Sequence, residues 1–178
     1  VYTFCMCPGG HVVAAASEPS RLCTNGMSYH APDGENANSA LLVQVSPADY
    51  PGNDALAGMR WQQEIEQAAY QAGGGGYVAP AQEAEDFFAH RKTEQFGAVT
   101  PSYRPGVRGA DLHAVLPQVL CQGIREGLMA MEKKCPGFCQ KDAVLTAVES
   151  RSSSPVRLLR QKDTLQAVGI SGVYPIGE

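Results

Sequence analysis

The sequence has no long apolar run and no block of positive charge. A membrane-spanning helix needs about 18 consecutive apolar residues, and no stretch of this chain approaches that length. The opening residues, VYTFCMCPGG, also lack the basic and long apolar regions of a secretion signal. Because 14 basic residues are scattered among 18 acidic ones, no phosphate-binding face is evident. We therefore expect a cytoplasmic protein with no membrane span and no nucleic acid partner.

The sequence also lacks the common motifs of metal, nucleotide and serine chemistry. Its four histidines show neither HxxxH nor HExxH spacing, and there is no GxSxG motif. The spacings of Cys5 with Cys7 and of Cys135 with Cys139 do not match the common zinc knuckle. The glycine run 73–76 follows a predicted helix instead of opening one, which disfavours a phosphate cradle. The sequence thus predicts no metal site and no complete nucleotide site.

The composition is that of a folded domain, alone or with an appendage. A chain of 178 residues that is 44% apolar and 18% charged can bury a core and is too apolar for general disorder. The six cysteines could form three disulfides, but reduced thiols are favoured without a secretion signal. The apolar, extended ends of the chain suggest a piece of a longer protein.

Short strands joined by tight turns are predicted in the first 45 residues. The residues before the turn at Pro8 to Gly10 are rich in β-forming side chains, and two further strands are predicted at 11–17 and 21–29. The third of these strands could contain a bulge at Gly26. A polar loop precedes another strand at 41–45. We expect these strands to form an antiparallel meander.

Helical periodicity begins after Asp54. One face of the first predicted helix, which Gly73 ends, carries Trp61, Ile65, Ala68, Ala69 and Ala72. A second helix is predicted to begin at Pro80, and a third runs from Pro117 to Lys134. Further strands are predicted at 142–150, 156–161 and 171–178. The predicted fold class is α+β, a mixed and largely antiparallel sheet covered by about three helices.

The segment 149–157 carries the most informative polar residues. Glu149 and Arg151 are two apart on a predicted strand, so their side chains would point to the same side. There they could pair with each other or bind an anionic group. Ser153 and its two neighbouring serines add hydroxyl donors in a turn stiffened by proline. A solvated ion pair is the alternative interpretation of the two charges.

Several segments, taken in order, resemble one known family. They are typified by CMCPGG at 5–10, NGMSY at 25–29, PSYRPGV at 101–107 and ESRSSSPVR at 149–157. Over nearly the whole chain they look like the large C-terminal part of bacterial FAD-dependent dehydrogenases, which are flavoproteins with two dinucleotide-binding domains. That family usually has Thr where this chain has Ser152, a difference that keeps the hydroxyl group.

The resemblance implies a domain inserted between the halves of a split FAD-binding Rossmann domain. Residues 1–172 would form a substrate-side, flavin-covering domain, and residues 173–178 would begin the C-terminal FAD-binding element. The implied cofactor contacts are Pro8, Gly9, Gly10, Pro175, Gly177 and Glu178. The implied substrate-pocket candidates are Cys5, Cys7, Asn25, Met27, Glu149, Arg151 and Ser153. FAD would be held by the full-length parent, and this chain alone is not expected to bind it.

Two hypotheses about function follow from the resemblance and the residues. In the first, the chain forms the substrate pocket of an FAD-dependent oxidoreductase, where hydride passes between a small organic substrate and the flavin. Its partners are then the rest of its own flavoprotein chain and that substrate. In the second, the chain is a non-catalytic interaction or regulatory module that uses the Pro- and Tyr-bearing loop 96–109 as a contact surface.

Overall fold

The computed structural model describes residues 1–176. Within this range the chain forms seven strands, three α-helices and one 3₁₀ turn. The strands are β1 (Tyr2–Cys7), β2 (His11–Ala14), β3 (Thr24–Met27), β4 (Asn38–Leu42), β5 (Ala79–Glu83), β6 (Val107–Gly109) and β7 (Val144–Thr146). The helices are α1 (Ala57–Ala72), α2 (Ala84–Phe88) and α3 (Gln118–Lys134), and the 3₁₀ turn spans Leu112–Ala114. The predicted α+β class with three helices is confirmed.

The strands form three small sheets instead of one meander. β1 pairs with β4, β2 pairs with β3, and β5 lies between β6 and β7; all pairs are antiparallel except β5 with β6. The meander is therefore a wrong prediction, because the turn after β1 leads β2 away to a different partner. The bulge was also expected in the wrong strand. Gly26 pairs regularly with Val12, whereas the register shifts in β1 between Phe4 and Cys7.

The first helix follows its sequence pattern closely. Ile65 and Ala69 are buried on the predicted face, and Ala69 packs in a core cluster with Leu22, Ala79 and Tyr103. The amides at the helix end, of Gly73, Gly74 and Gly75, donate to carbonyls of its last turn. The glycine run therefore ends a helix, as predicted, and its amides are already used.

A second core cluster forms where α2, the 3₁₀ turn and α3 meet. Its buried members are Ile65, Phe87, Leu112, Leu116, Cys121, Leu128 and Ala147. Burial of a large apolar side chain contributes about 1.5–3 kcal/mol, so this cluster is a main source of cohesion between the two halves of the chain. α3 begins at Gln118 directly after Pro117, within one residue of the prediction.

Two predicted elements differ in the structure. Pro80 lies in β5, the buried central strand of its sheet, where its carbonyl accepts from the Ala147 amide, and α2 begins only at Ala84. Pairing on both sides of β5 outweighs the tendency of proline to start a helix.

Residues 154–176, which we call the C-terminal arm, are irregular apart from a bridge between Arg160 and Ala167. The strands predicted at 156–161 and in the described part of 171–178 are therefore wrong.

The turn between β1 and β2 allows a direct stability test at Gly9. Gly9 has φ +65°, and a Cβ there would lie 2.6–2.9 Å from backbone atoms of Pro32, Asp33 and Gly34. Gly76 has nearly the same φ, +62°, but nothing lies within 4 Å of an added Cβ. We expect Gly9→Ala to lower the free energy of unfolding by about 3 kcal/mol and Gly76→Ala by about 1 kcal/mol, as measured by equilibrium urea unfolding. Equal losses would show that the 32–34 segment does not pack on the turn.

Candidate functional site

A buried carboxylate on α1 organises the polar centre of the molecule. The Glu66 side chain is only 1% exposed. Arg151 binds it in a bidentate manner, with Nε donating to Oε1 and Nη2 donating to Oε2, both over 2.7 Å. The Ser150 hydroxyl donates to the same Oε1 over 2.6 Å. Such paired, charge-assisted bonds offset the cost of removing both ions from water.

The network extends from Glu66 to the segment before β3. The Arg151 guanidinium also donates to the Ser17 hydroxyl and lies 3.6 Å from Glu18 Oε1. The Leu22 amide donates to the Glu66 carbonyl over 3.0 Å, and the Thr24 amide donates to the Val148 carbonyl over 2.8 Å. Three parts of the chain that are distant in sequence therefore meet at one ion pair.

Of the alternatives that the sequence left open for Glu149 and Arg151, the structure does not show a pairing of the two with each other. Residues 147–151 are not a strand, so the two side chains do not follow strand alternation. The Arg151 guanidinium instead contacts Glu66 on α1 and Glu18 in the segment before β3. Within residues 1–176 Glu149 has neither an ion-pair nor a hydrogen-bond partner. Its half-buried position raises its pKa.

Glu66, within this ion pair, and Glu149, two residues before Arg151, therefore differ in proton affinity. Burial works to raise the pKa of Glu66, but the hydrogen bonds from Arg151 and Ser150 outweigh it and hold that pKa below its usual value. No such donor lowers the pKa of Glu149, which burial raises. The ionised form of Glu66 is therefore favoured, whereas Glu149 binds its proton more tightly than an exposed carboxyl does.

The β2–β3 hairpin links Glu149 to the cysteine turn. Thr24, at the start of β3, bonds to Val148, and Met27, at its end, pairs with His11 just after the turn. Asn25 and Met27 are both exposed. The backbone bond between Thr24 and Val148 thus joins the strand that carries Asn25 and Met27 to the residue before Glu149. Ser153 is exposed in the turn beyond Arg151.

The cysteines at the turn are free thiols. Cys5 is exposed with φ +52°, and the partly buried Cys7 donates its thiol to the Cys5 carbonyl over 3.1 Å. Met6 between them is 59% exposed. The turn therefore presents Cys5 and Met6 outward, and Pro8 is exposed beside them.

Asn38 is a functional candidate that the sequence did not indicate. Its amide lies between Gly10 and Gly26: a Cβ would approach Asn38 Oδ1 to 2.1 Å at Gly10 and Nδ2 to 2.6 Å at Gly26. Nδ2 donates to the His11 carbonyl over 3.2 Å, whereas Oδ1 is buried without a hydrogen-bond partner among the described residues. In the sequence, only two glycines accompany this insertion: Gly10, just before β2, and Gly26, in β3.

The glycines of the turn do not form a phosphate cradle. The Gly9 face is filled by residues 32–34 and the Gly10 face by Asn38, and the Gly10 amide donates to the Cys7 carbonyl. The residues of this chain therefore do not fit a complete FAD site. Among the other implied cofactor contacts, the Pro175 carbonyl accepts a hydrogen bond from Arg160 Nη1 over 3.1 Å. Gly177 and Glu178 lie outside the described residues.

Two histidines that are distant in sequence also come together. The rings of His90 and His113 have centroids 4.0 Å apart, and His113 Nδ1 lies 3.0 Å from Asp111 Oδ1. The Phe87 ring also stacks on His113, with the ring centroids 4.4 Å apart. Among residues 1–176, no group of three or more His, Cys, Asp or Glu side chains has a geometry that could hold a metal ion.

The comparison with known proteins places the chain in a family. Residues 1–152 match the family described as FAD-dependent protein, C-terminal domain-like. The chain therefore belongs to that family, as its resemblance indicated. An uncharacterised protein of Clostridium beijerinckii is 48% identical over all 178 residues, and the match covers 33% of that relative. The chain thus spans about a third of the length of the curated relative that it matches. In the described part of the chain, no helix has the length and apolarity needed to cross a membrane.

The two carboxyl groups give opposite pH signatures that can be measured. The pKa of Glu66 is lowered on folding, so its contribution to stability is present above its unfolded pKa and is lost as the pH falls through the folded pKa. The pKa of Glu149 is raised on folding, so its ionisation costs stability as the pH rises. We expect Glu66→Gln to lose about 2 kcal/mol at pH 7 and less at pH 4. The free energy of unfolding of Glu149→Gln, relative to that of the native chain, should increase from pH 4 to pH 7.

Both variants are compared with the native chain by urea unfolding at the two pH values. Glu64→Gln, at an exposed position on the same helix as Glu66, is the matched control and should change stability by less than about 0.5 kcal/mol. If the differences for Glu66→Gln and Glu149→Gln moved in the same direction with pH, the assignment of a lowered pKa to Glu66 and a raised pKa to Glu149 would be wrong.

Proposed function

We propose that this chain is the substrate-side domain of an FAD-dependent oxidoreductase of the dehydrogenase type, with its pocket over the flavin. The observation that carries the proposal is the family match over residues 1–152, within a relative three times as long. FAD, bound by the remainder of that longer protein, would supply the two-electron chemistry. The inserted position between two halves of a Rossmann domain, and the boundary at 172, are part of this proposal.

Within the proposed domain, Glu149 is the residue that exchanges a proton with the substrate. Its support is the pKa raised by burial and the lack of any partner among the described residues. Arg151 acts as a positioning residue, because its guanidinium is held by Glu66 and keeps the 148–151 segment against α1. Asn25, Met27, Cys5, Cys7 and the exposed Ser153 are proposed to line the rim on the side of the β2–β3 hairpin.

The alternative function, a non-catalytic contact module, has less support from the loop it relies on. Tyr103 in the loop 96–109 is 4% exposed, and its hydroxyl donates to the Tyr77 carbonyl over 3.0 Å. The Ser102 hydroxyl accepts from the Val12 amide. The loop is therefore built into the core instead of presenting its tyrosine, Tyr103, to a partner. A longer parent protein that purifies colourless and does not take up added FAD would favour the alternative.

The role of Glu149 is tested in the longer flavoprotein that carries this segment. Glu149→Gln keeps the shape of the side chain and removes its proton exchange, so substrate-dependent bleaching of the flavin should slow by about 100-fold. The pH profile of the rate should also lose one limb. Glu94→Gln is the matched control, since that side chain is 78% exposed and its loss should leave the rate unchanged. An unchanged rate and profile for Glu149→Gln would remove Glu149 from the pocket.

The absence of a phosphate cradle leads to a prediction for the isolated chain. Titration of the 178-residue chain with FAD, followed by calorimetry or by flavin fluorescence, should show no binding at micromolar concentration. The physical reason is that the amides of Gly10 and of Gly73 to Gly75 already donate to carbonyls of the chain. Saturable binding with micromolar or better affinity would contradict the proposed division of the cofactor site.

A further inference from the structure

The C-terminal arm exposes an unusual amount of apolar surface. Eight of its large apolar side chains are at least 46% exposed, and Ile176 reaches 93%. They are Leu158, Leu159, Leu165, Val168, Ile170, Val173, Tyr174 and Ile176. Single exposed apolar residues are ordinary on protein surfaces, but eight of them within 19 residues, four lining one groove, are typical of an interaction surface.

The arm is nevertheless ordered by its own backbone. Within residues 1–176, each hydrogen bond made by residues 154–176 has its partner inside the arm. The Val168 amide donates to the Leu159 carbonyl over 2.9 Å, and the Ala167 amide donates to the Val173 carbonyl over 2.7 Å. The Arg160 guanidinium donates to the Pro175 carbonyl over 3.1 Å. The arm therefore has a defined shape while its apolar side chains stay uncovered.

The arm also forms a groove whose lining comes entirely from its own residues. The groove has a volume of about 530 Å³ and is lined by Leu158, Leu159, Leu165 and Ile176, with Arg157, Arg160 and Lys162 among the polar members. Three cations against the single anion Asp163 give the arm a positive charge, although the whole chain carries −4. Such a surface suits a partner face that is apolar and acidic.

The arm lies outside the family domain, which ends at residue 152, yet the Clostridium relative matches it within a chain three times as long. We propose that the C-terminal arm is the docking surface by which this domain packs against the flavin-binding remainder of the same longer protein. The proposal rests on the proposed function for the identity of that remainder. It assigns the contact to the apolar side chains at 158–176, and the basic residues fix its orientation.

The test compares Leu158→Gln/Leu159→Gln in the 178-residue chain and in the longer flavoprotein. Both leucines are 66% exposed, so the melting temperature of the 178-residue chain should not change. In the longer protein the same double variant should lower the melting temperature by about 3 °C or more. Met129→Gln is the matched control, since Met129 is an apolar residue outside the arm that is 44% exposed; it should change neither protein.

Amide hydrogen exchange gives a second measurement. Exchange in residues 157–176 should be at least about tenfold slower in the longer protein than in the 178-residue chain, because docking covers the arm. Equal exchange rates and an unchanged melting temperature would overturn the proposal. A 178-residue chain that dimerises through the arm, with no effect of the variant in the longer protein, would also overturn it and assign the surface to a second copy.

These readouts separate the docking surface from the proposed function. Melting and exchange need neither flavin nor turnover. A longer protein that is colourless but still destabilised by Leu158→Gln/Leu159→Gln would keep the docking surface and reject the flavoprotein function. A yellow, active protein that the double variant leaves unchanged would reject only the docking surface.

Discussion

The ion pair between Glu66 and Arg151 is the interaction on which the rest of the structure depends. Removing a carboxylate and a guanidinium from water costs several kcal/mol for each ion, and this cost is tolerated only where the hydrogen bonds are complete. Glu66 has both oxygens bonded, one of them twice, and Arg151 also contacts Ser17. The pair therefore holds α1, the segment before β3 and the segment after β7 in one arrangement.

That arrangement also separates two neighbouring carboxyl groups chemically. Because Arg151 is directed at α1, Glu149 is left without a counter-ion in the described structure, and burial raises its pKa. A fold that used Arg151 to neutralise Glu149 would have kept it ionised. The same contact thus stabilises the fold and leaves Glu149 with a raised pKa, which connects the packing of α1 to the proposed chemistry.

The family is defined by FAD, but the packing of this chain leaves it no complete FAD site. The family is described by its FAD dependence, yet the glycine-rich segments of this chain use their amides and their close approaches internally. Gly9 and Gly10 accommodate residues 32–34 and Asn38, and Gly73 to Gly75 close α1. The proposed function accordingly assigns the cofactor to the rest of the longer protein, and we propose the uncovered apolar arm as the surface that contacts it.

The local sequence predicted the elements whose signals are local. The apolar face from Trp61 to Ala72, the helix end at Gly73 and the start of α3 after Pro117 depend on residues within one or two turns of each other. The α+β class and the family resemblance were also accessible from the sequence. The strand pairing could not be predicted from the sequence. β1 pairs with β4 and not with the nearer β2, through contacts between residues more than thirty positions apart.

The site shows the same division between local and distant information. The sequence by itself determined only which residues are candidates, namely Glu149, Arg151 and the cysteine turn. Only the tertiary structure decided the partner of each one: Glu66 for Arg151, Asn38 between Gly10 and Gly26, and His90 against His113. The physical reason is that a charge or an amide takes the partner that removes most of its desolvation cost, and that partner is fixed by packing across the whole chain.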